Sequence, residues 1–387
     1  MQVSGVLGSL SFLSGSIIAG ANVTPDMLHR DANEVMGNLQ SEAIQALLQS
    51  TFRTDPTCSI EKAQVRRDWE FMSKDERKNY VQAVRCMFSS RSKLTEFGWP
   101  TKNRYDDFVG VHINMTTTIH NTGNFLGYHR YLLHTYETAL RDECGYKGYT
   151  PYWNWFKYRD DVTKSPVFDG SETSLGGDGE FFWHNGTLAG ILKIPLPSGK
   201  GGGCMKSGPF KGQDVHMGPM ASVFPGFPTV SGIFIENTHC IRRDLNSYAS
   251  TNYMQTYHLL NLTVGEASKS IKLFQEELQG GRYPGHLGLH AAGHFTLGGD
   301  GTDLFSSPND PAFWLHHAQL DRLWWIWQAL HPAEAGDIDG TITMNNNPPS
   351  RLATIDDALD TKGLSPLVAL KEVFNTLGEG PLCYIYA

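Results

Sequence analysis

Fifteen histidines stand in the chain, and most of them crowd into two stretches. The first stretch holds His112, His120, His129 and His134; the second holds His286, His290, His294, His316 and His317. His184 and His216 lie apart, in the loop-rich middle. Spacing sorts the two groups. His290 and His294 are four apart where the pattern predicts a helix over 287–297, so both imidazoles fall on one face, a turn apart. Their neighbours Gly288, Ala291, Ala292 and Gly293 are small, which lets a second helix and a bound molecule come close. A further helix is predicted over 311–330, with Pro311 in its first turn and Asp310 as its N-cap. It carries His317, and Asp321 four residues on, within reach to orient an imidazole. His316 points about 100° away from His317, so at most one of the two joins the same site. In the first stretch His112 and His120, eight apart, share roughly one face. His129 follows the turn composition Asn121-Thr-Gly-Asn124, and His134 faces elsewhere.

The result is two triples of histidine with no cysteine or carboxylate at ligand spacing. Three neutral imidazoles per ion suit copper or zinc and disfavour both thiolate and all-oxygen chemistry. A lone zinc site would need one triple; two triples predict two metals held between facing helices, as in a helix bundle with an internal metal site. The fold expected is mainly α, a central four-helix bundle with long loops and a few short strands. Helical periodicity is also read at Ser41–Phe52 and across 60–98, while 165–240 is rich in Gly and Pro and reads as long loops.

Composition narrows the classes left. Hydrophobic residues make up 40% and charged residues 19%, enough for a buried core in a 387-residue chain. The net charge is −8 and there is no Lys/Arg block, which argues against a nucleic-acid partner. No apolar run is long enough to span a membrane. The six cysteines contain no C-x-x-C pair and are compatible with three disulfides in an oxidising compartment, in any of 15 pairings. Sequons at Asn22, Asn114, Asn185 and Asn261 point the same way, although Asn114 lies inside the first histidine stretch. Residues 3–21 form only a weak signal peptide, with no basic residue before them. The protein is expected to be secreted.

Two runs of text carry a resemblance. The first is His112, Ile119-His120 and Asn124-Phe-Leu-Gly-Tyr-His129-Arg130, with Glu137 beyond. The second is His290-Ala-Ala-Gly-His294 and Ser307-Pro-Asn-Asp-Pro-Ala-Phe-Trp-Leu-His-His317-Ala-Gln-Leu-Asp321-Arg322. Together they resemble the type-3 dicopper family of tyrosinases, catechol oxidases and molluscan haemocyanins, over about residues 58–387. The resemblance implies two copper ions, one on His112, His120 and His129, the other on His290, His294 and His317, with O2 and a phenolic small molecule as reactants. It leaves 1–57 as an N-terminal extension and 58–387 as the catalytic domain. The chain stops at a motif like the Tyr384-Ile-Tyr386 that closes the family's catalytic core, so no C-terminal plug and no proteolytic activation are expected. A homo-oligomer is compatible with this reading.

Departures from the family pattern tune the expectation. Strong monophenol hydroxylases often carry Asn after the first histidine of the second site; Ala291 stands here and holds no water. Gln279, Glu277 and Glu276 are the candidates for the family's water-holding carboxylate, and Gln279 is a poor base. Thr118 replaces a cysteine that many fungal members crosslink to the second histidine. Asn154 replaces the common Asp of the aromatic knot Pro151–Trp155. Leu304 matches the position that gates the pocket and implies a moderately open site. The sequence therefore points to an o-diphenol oxidase, with o-aminophenols and some monophenols as lesser substrates. A full tyrosinase is the alternative, and an O2 carrier a more distant one.

Overall fold

The computed structural model describes residues 23–49, 58–221, 229–378 and 380–387. Residues 3–21, Asn22 and Phe52 lie outside them. Ten α-helices are present among the described residues: α1 (Pro25–Leu28), α2 (Ala32–Gln49), α3 (Lys74–Ser89), α4 (Arg104–Ile119), α5 (Phe125–Cys144), α6 (Ser247–Tyr253), α7 (Thr256–Thr263), α8 (Ile271–Gln279), α9 (Leu289–Leu297) and α10 (Ala312–Leu330). Strands are short and pair two by two. Gln64–Arg66 runs parallel to Tyr384–Tyr386, and four small antiparallel pairs lie within 179–240 and 358–369.

The fold is mainly α, as expected, and its axis is α10. Every residue from Ala312 to Ala329 is buried, so this helix has no solvent face and must be surrounded. It packs against α2, α5, α7 and α9, while α4 packs against α5. α4, α5, α9 and α10 form the bundle that carries both histidine triples.

Local sequence chemistry explains where the bundle helices begin and end. At α4, the Asn103 side chain accepts the Asp106 N–H (2.9 Å) and Asp106 accepts the Asn103 N–H (3.2 Å), a reciprocal cap. α4 ends because His120 turns to extended backbone, and Asn121 takes the left-handed region that the NTGN composition foreshadows. α9 is framed by Gly288 and Gly298, both at positive φ. A Cβ on Gly288 would stand 2.4 Å from the Gly280 backbone nitrogen, so only glycine allows the approach.

The structure redraws several expectations. Across 60–98 only α3 is an α-helix. Val65 lies in a strand and Trp69 in a short 3-10 turn, because Ser73 and Glu76 cap each other and fix the helix start there. The helix read from Ser41 starts further back, at Ala32, and lies along α10, where Arg322 Nε donates to Gln40 (2.6 Å). Asn154 donates to Asn33 (2.8 Å) and so ties the aromatic knot to the start of α2. The six cysteines pair as Cys58–Cys383, Cys86–Cys144 and Cys204–Cys240. Of the sequons, Asn185 is exposed, whereas Asn261 is buried and accepts the Ala267 N–H. No described helix is long and apolar enough to cross a membrane.

Candidate metal centre and substrate cavity

The backbone fixes each imidazole before any metal is considered. His112 Nδ1 bonds the Phe305 carbonyl at 2.6 Å, His120 Nδ1 the Thr116 carbonyl at 3.0 Å and His129 Nδ1 the Phe125 carbonyl at 2.8 Å. A carbonyl only accepts, so each Nδ1 carries the proton and each Nε2 presents its lone pair inward. The three rings gather with centroids 5.0 to 5.7 Å apart. Nε2 of His112 and of His129 are buried with no hydrogen-bond partner among the described residues. Two unpartnered lone pairs converging in a dry interior are a donor set that suits a cation.

The second triple, on α9 and α10, repeats the device at His294. His294 Nδ1 bonds the Gly301 carbonyl at 2.8 Å, so its Nε2 is an acceptor. That Nε2 lies 3.1 Å from His290 Nε2 and 3.2 Å from His317 Nε2. A single ring nitrogen accepts only one of these two neighbours at a time, and three imidazole nitrogens gathered this closely also suit a shared cation. The two triples adjoin: His129 stacks on His317 (4.6 Å between centroids, 16°) and His120 faces His290 (6.0 Å, 17°). Burial lowers the pKa of all six, to about 4 for His120 and His294 and well below the usual imidazole range for the other four. All six are therefore neutral at pH 7, the ligand form.

His120 reaches its group by a route that helical spacing does not contain. It lies past the end of α4, and its extended backbone swings the ring back over His112. His134 stands outside both groups, stacked on Tyr131. His316 comes close enough to be grouped with His290, His294 and His317, yet its Nε2 is turned to the His290 carbonyl at 3.0 Å. Its ring lies against Gly293, where a Cβ would stand 2.1 Å from His316 Cε1. The small residues of α9 thus make room for this second histidine.

The structure corrects the reading of Asp321. Its carboxylate does not orient His317; it takes Arg130 Nε (2.5 Å), Arg66 Nη1 (3.3 Å) and the hydroxyls of Tyr384 (2.5 Å) and Tyr386 (2.6 Å). Asp310 does accept the Ala312 N–H (2.9 Å), but it also holds the buried Arg243. His216 and His184 pair with Asp106 and Asp244, away from the centre.

The profile of the common central domain of tyrosinase matches residues 102–330, more than half of the chain and all six histidines. The chain belongs to the tyrosinase family. Within it the chain falls among the type-3 copper polyphenol oxidases, a group of oxidoreductases. It is 39% identical over 347 residues to "Tyrosinase P" of Aspergillus terreus, covering 86% of this chain and 94% of that one. It is 36% identical over 362 residues to "N-acetyl-6-hydroxytryptophan oxidase ivoB" of Emericella nidulans, with 89% and 98% covered. Its fold is similar to a mutant polyphenol oxidase of Thermothelomyces thermophila, with a TM-score of 0.83 and 35% identity over 94% of this chain and all of that one. Membership implies a dicopper centre, and both histidine groups are present to receive one.

In this family member a cavity of roughly 400 Å³ opens onto one side of the centre, reached by His120, His290 and His294. Ala291, Phe295, Leu304 and Gln279 line it, with Leu188 and Ile191 on the rim. Leu304 is 37% exposed at the cavity. Gln279 uses its side-chain oxygen on the Asn121 N–H (2.8 Å), so it braces the turn between α4 and α5. Glu277, another candidate to hold water, is engaged instead by His258, His286 and Arg282. Asp303 is the one carboxylate among the described lining residues, and it accepts the N–H groups of Met220, Ala221, Phe305 and Ser306. The sequence reading missed Phe313, which packs on His317 (4.1 Å) and His112 (5.2 Å) from between the triples. Its position four before His317 on α10 was the available signal.

Proposed function

We propose that this protein oxidises o-diphenols to o-quinones at the expense of O2, with o-aminophenols and some monophenols as lesser substrates. His112, His120 and His129 hold one copper ion, and His290, His294 and His317 hold the second. The observation that carries the reading is the pair of imidazole clusters, with four of the six rings fixed in tautomer by backbone carbonyls and with Nε2 of His112 and of His129 lacking a hydrogen-bond partner among the described residues. When bound, the copper pair supplies the electron-accepting chemistry with O2. Two catechols each give two electrons and two protons, and one O2 becomes two waters.

The chain's residues do the rest. The carbonyls of Phe305, Thr116, Phe125 and Gly301 hold the ring protons of His112, His120, His129 and His294 on Nδ1, which fixes the orientation of these four imidazoles and keeps their Nε2 atoms donors of electrons. Phe295, Leu304 and Ala291 give the phenol ring an apolar slot, and the rim formed by Leu188 and Ile191 accepts its substituent. A catechol loses its protons more readily than a monophenol, which needs a base near the site. Ala291 holds no water, Gln279 spends its oxygen on Asn121, and both Asp303 oxygens accept backbone N–H groups, so no carboxylate of the described lining stands unengaged. This favours diphenol over monophenol turnover. A carrier would keep its centre shielded; the open mouth at Leu304 favours an enzyme. The three disulfides fit a secreted protein.

The test is oxygen consumption by copper-loaded protein with 4-methylcatechol and with tyramine. Expected is immediate catechol turnover, and slower tyramine turnover after a lag. Protein holding two coppers that leaves 4-methylcatechol untouched would overturn the proposal.

A further inference from the structure

A third set of metal-type donors stands apart from the centre and its cavity. His258 lies on α7, Glu277 on α8 and His286 in the loop that leads into α9. Glu277 Oε1 is 3.1 Å from His258 Nδ1 and 3.2 Å from His286 Nε2. None of the three lines the substrate cavity.

We propose that His258, Glu277 and His286 form a mononuclear site for a divalent cation, and that the donor set selects zinc. The side chains of Glu277 and His286 are fully buried. Neither ring nitrogen of His286 has a hydrogen-bond partner among the described residues: its Nε2 approaches Glu277 at 3.2 Å without forming a hydrogen bond. A buried imidazole with both nitrogens unsatisfied is costly, and a metal on Nε2 would satisfy one of the two. Ligand atoms about 2.0–2.1 Å from a tetrahedral ion stand about 3.3 Å from one another, close to both separations seen here. Two histidines, one glutamate and an open fourth position form an established zinc set. Arg282 Nη1 holds the other oxygen of Glu277 at 3.2 Å, leaving Oε1 as a single ligand atom and fixing its direction. Tyr283 stacks on His286 (4.4 Å, 12°) and steadies the ring from the other side. His258 is partly exposed and provides the route in from solvent.

The site joins α7 and α8 to the loop that precedes His290. A bound ion would brace that loop without touching the oxidation chemistry.

Copper-loaded protein is incubated with zinc, desalted, and both metals are counted by inductively coupled plasma mass spectrometry. His258→Ala, at the exposed edge, is the main variant, and Glu277→Gln is the second. The wild type should retain one zinc beside two coppers. Loss of a ligand should weaken zinc binding by no less than the about tenfold typical of an outer partner, with copper content unchanged. Wild type retaining no more zinc than His258→Ala, or gaining zinc only as copper leaves, would overturn the proposal and leave Glu277 as a hydrogen-bonded hub. The copper count reports separately on the dicopper reading.

Discussion

Asp321→Asn should destabilise the protein by about 4 kcal/mol while leaving both coppers in place. The carboxylate sits in a fully buried knot where strand 64–66, α5, α10 and strand 384–386 meet. Arg66 and Arg130 bring two positive charges, and Glu137 and Asp321 bring two negative ones. Asparagine keeps the shape but removes one negative charge and turns an N–H2 toward groups that need an acceptor. Removing one partner of a buried pair costs about 3–5 kcal/mol, because the other charge stays in the interior uncompensated. With about 2 cal/mol/K of unfolding entropy per residue, that is about 5 °C of Tm for a chain this long. Burial opposes ionisation of Asp321, but Arg130, Arg66 and the two tyrosine hydroxyls outweigh it and hold its pKa below the ordinary range. A depressed carboxyl stabilises above its unfolded value, near pH 4, and that stability disappears as pH falls through the folded value. The gap between wild type and variant should therefore be constant from pH 5 to pH 8 and shrink only in stronger acid. Tryptophan-fluorescence melts of copper-loaded protein, with copper counted before and after, measure both quantities. A Tm change under about 1 °C would refute the charge argument. Loss of copper at unchanged Tm would return Asp321 to the role of orienting His317.

Three further outcomes follow from the same geometry. His129→Gln should leave one copper per chain and slow catechol oxidation more than about a hundredfold, a loss of about 3 kcal/mol or more in transition-state stabilisation; unchanged copper content would refute the ligand assignment. Ala291→Asn places a water-holding amide at the cavity wall and should shorten the tyramine lag, raising the monophenol-to-diphenol ratio by up to about a hundredfold; an unaltered ratio would show that the missing base is not the limit. In the metal-free protein, His120 and His294 are pushed down to about 4 by burial. The unfolded chain takes up those protons near pH 6.5, so stability falls as pH drops below that value and until about pH 4. Urea midpoints should report a loss of about 2 kcal/mol per histidine between pH 8 and pH 5, and a flat profile would contradict their burial as neutral rings.

What the sequence disclosed of the centre, and what it hid, divides along one physical line. Positions related by helix period were legible: His290 and His294 share a face of α9, His317 lies on α10, and His316 is turned off the site as the 100° step requires. Contacts set by backbone outside helices were not. Helical spacing was offered for His112 and His120, yet His120 reaches its group because α4 has already ended. The carbonyls that fix the tautomers of His112 and His294 come from the 298–305 loop, whose glycine and aspartate composition announces a turn but not the direction of its oxygens. Asp321 fails for a related reason. Four residues along a helix places it near His317, but its fate was decided by Arg66, whose neighbours arrive from the far end of the chain through the parallel pairing of 64–66 with 384–386. Charge decides that competition: a buried carboxylate between two guanidinium groups gains far more from them than from a neutral imidazole. The same logic holds at Glu277, which sequence proximity offered to the substrate cavity. Arg282 and two histidines claimed it instead, and the carboxylate kept out of the cavity lining is the one that completes the third donor set.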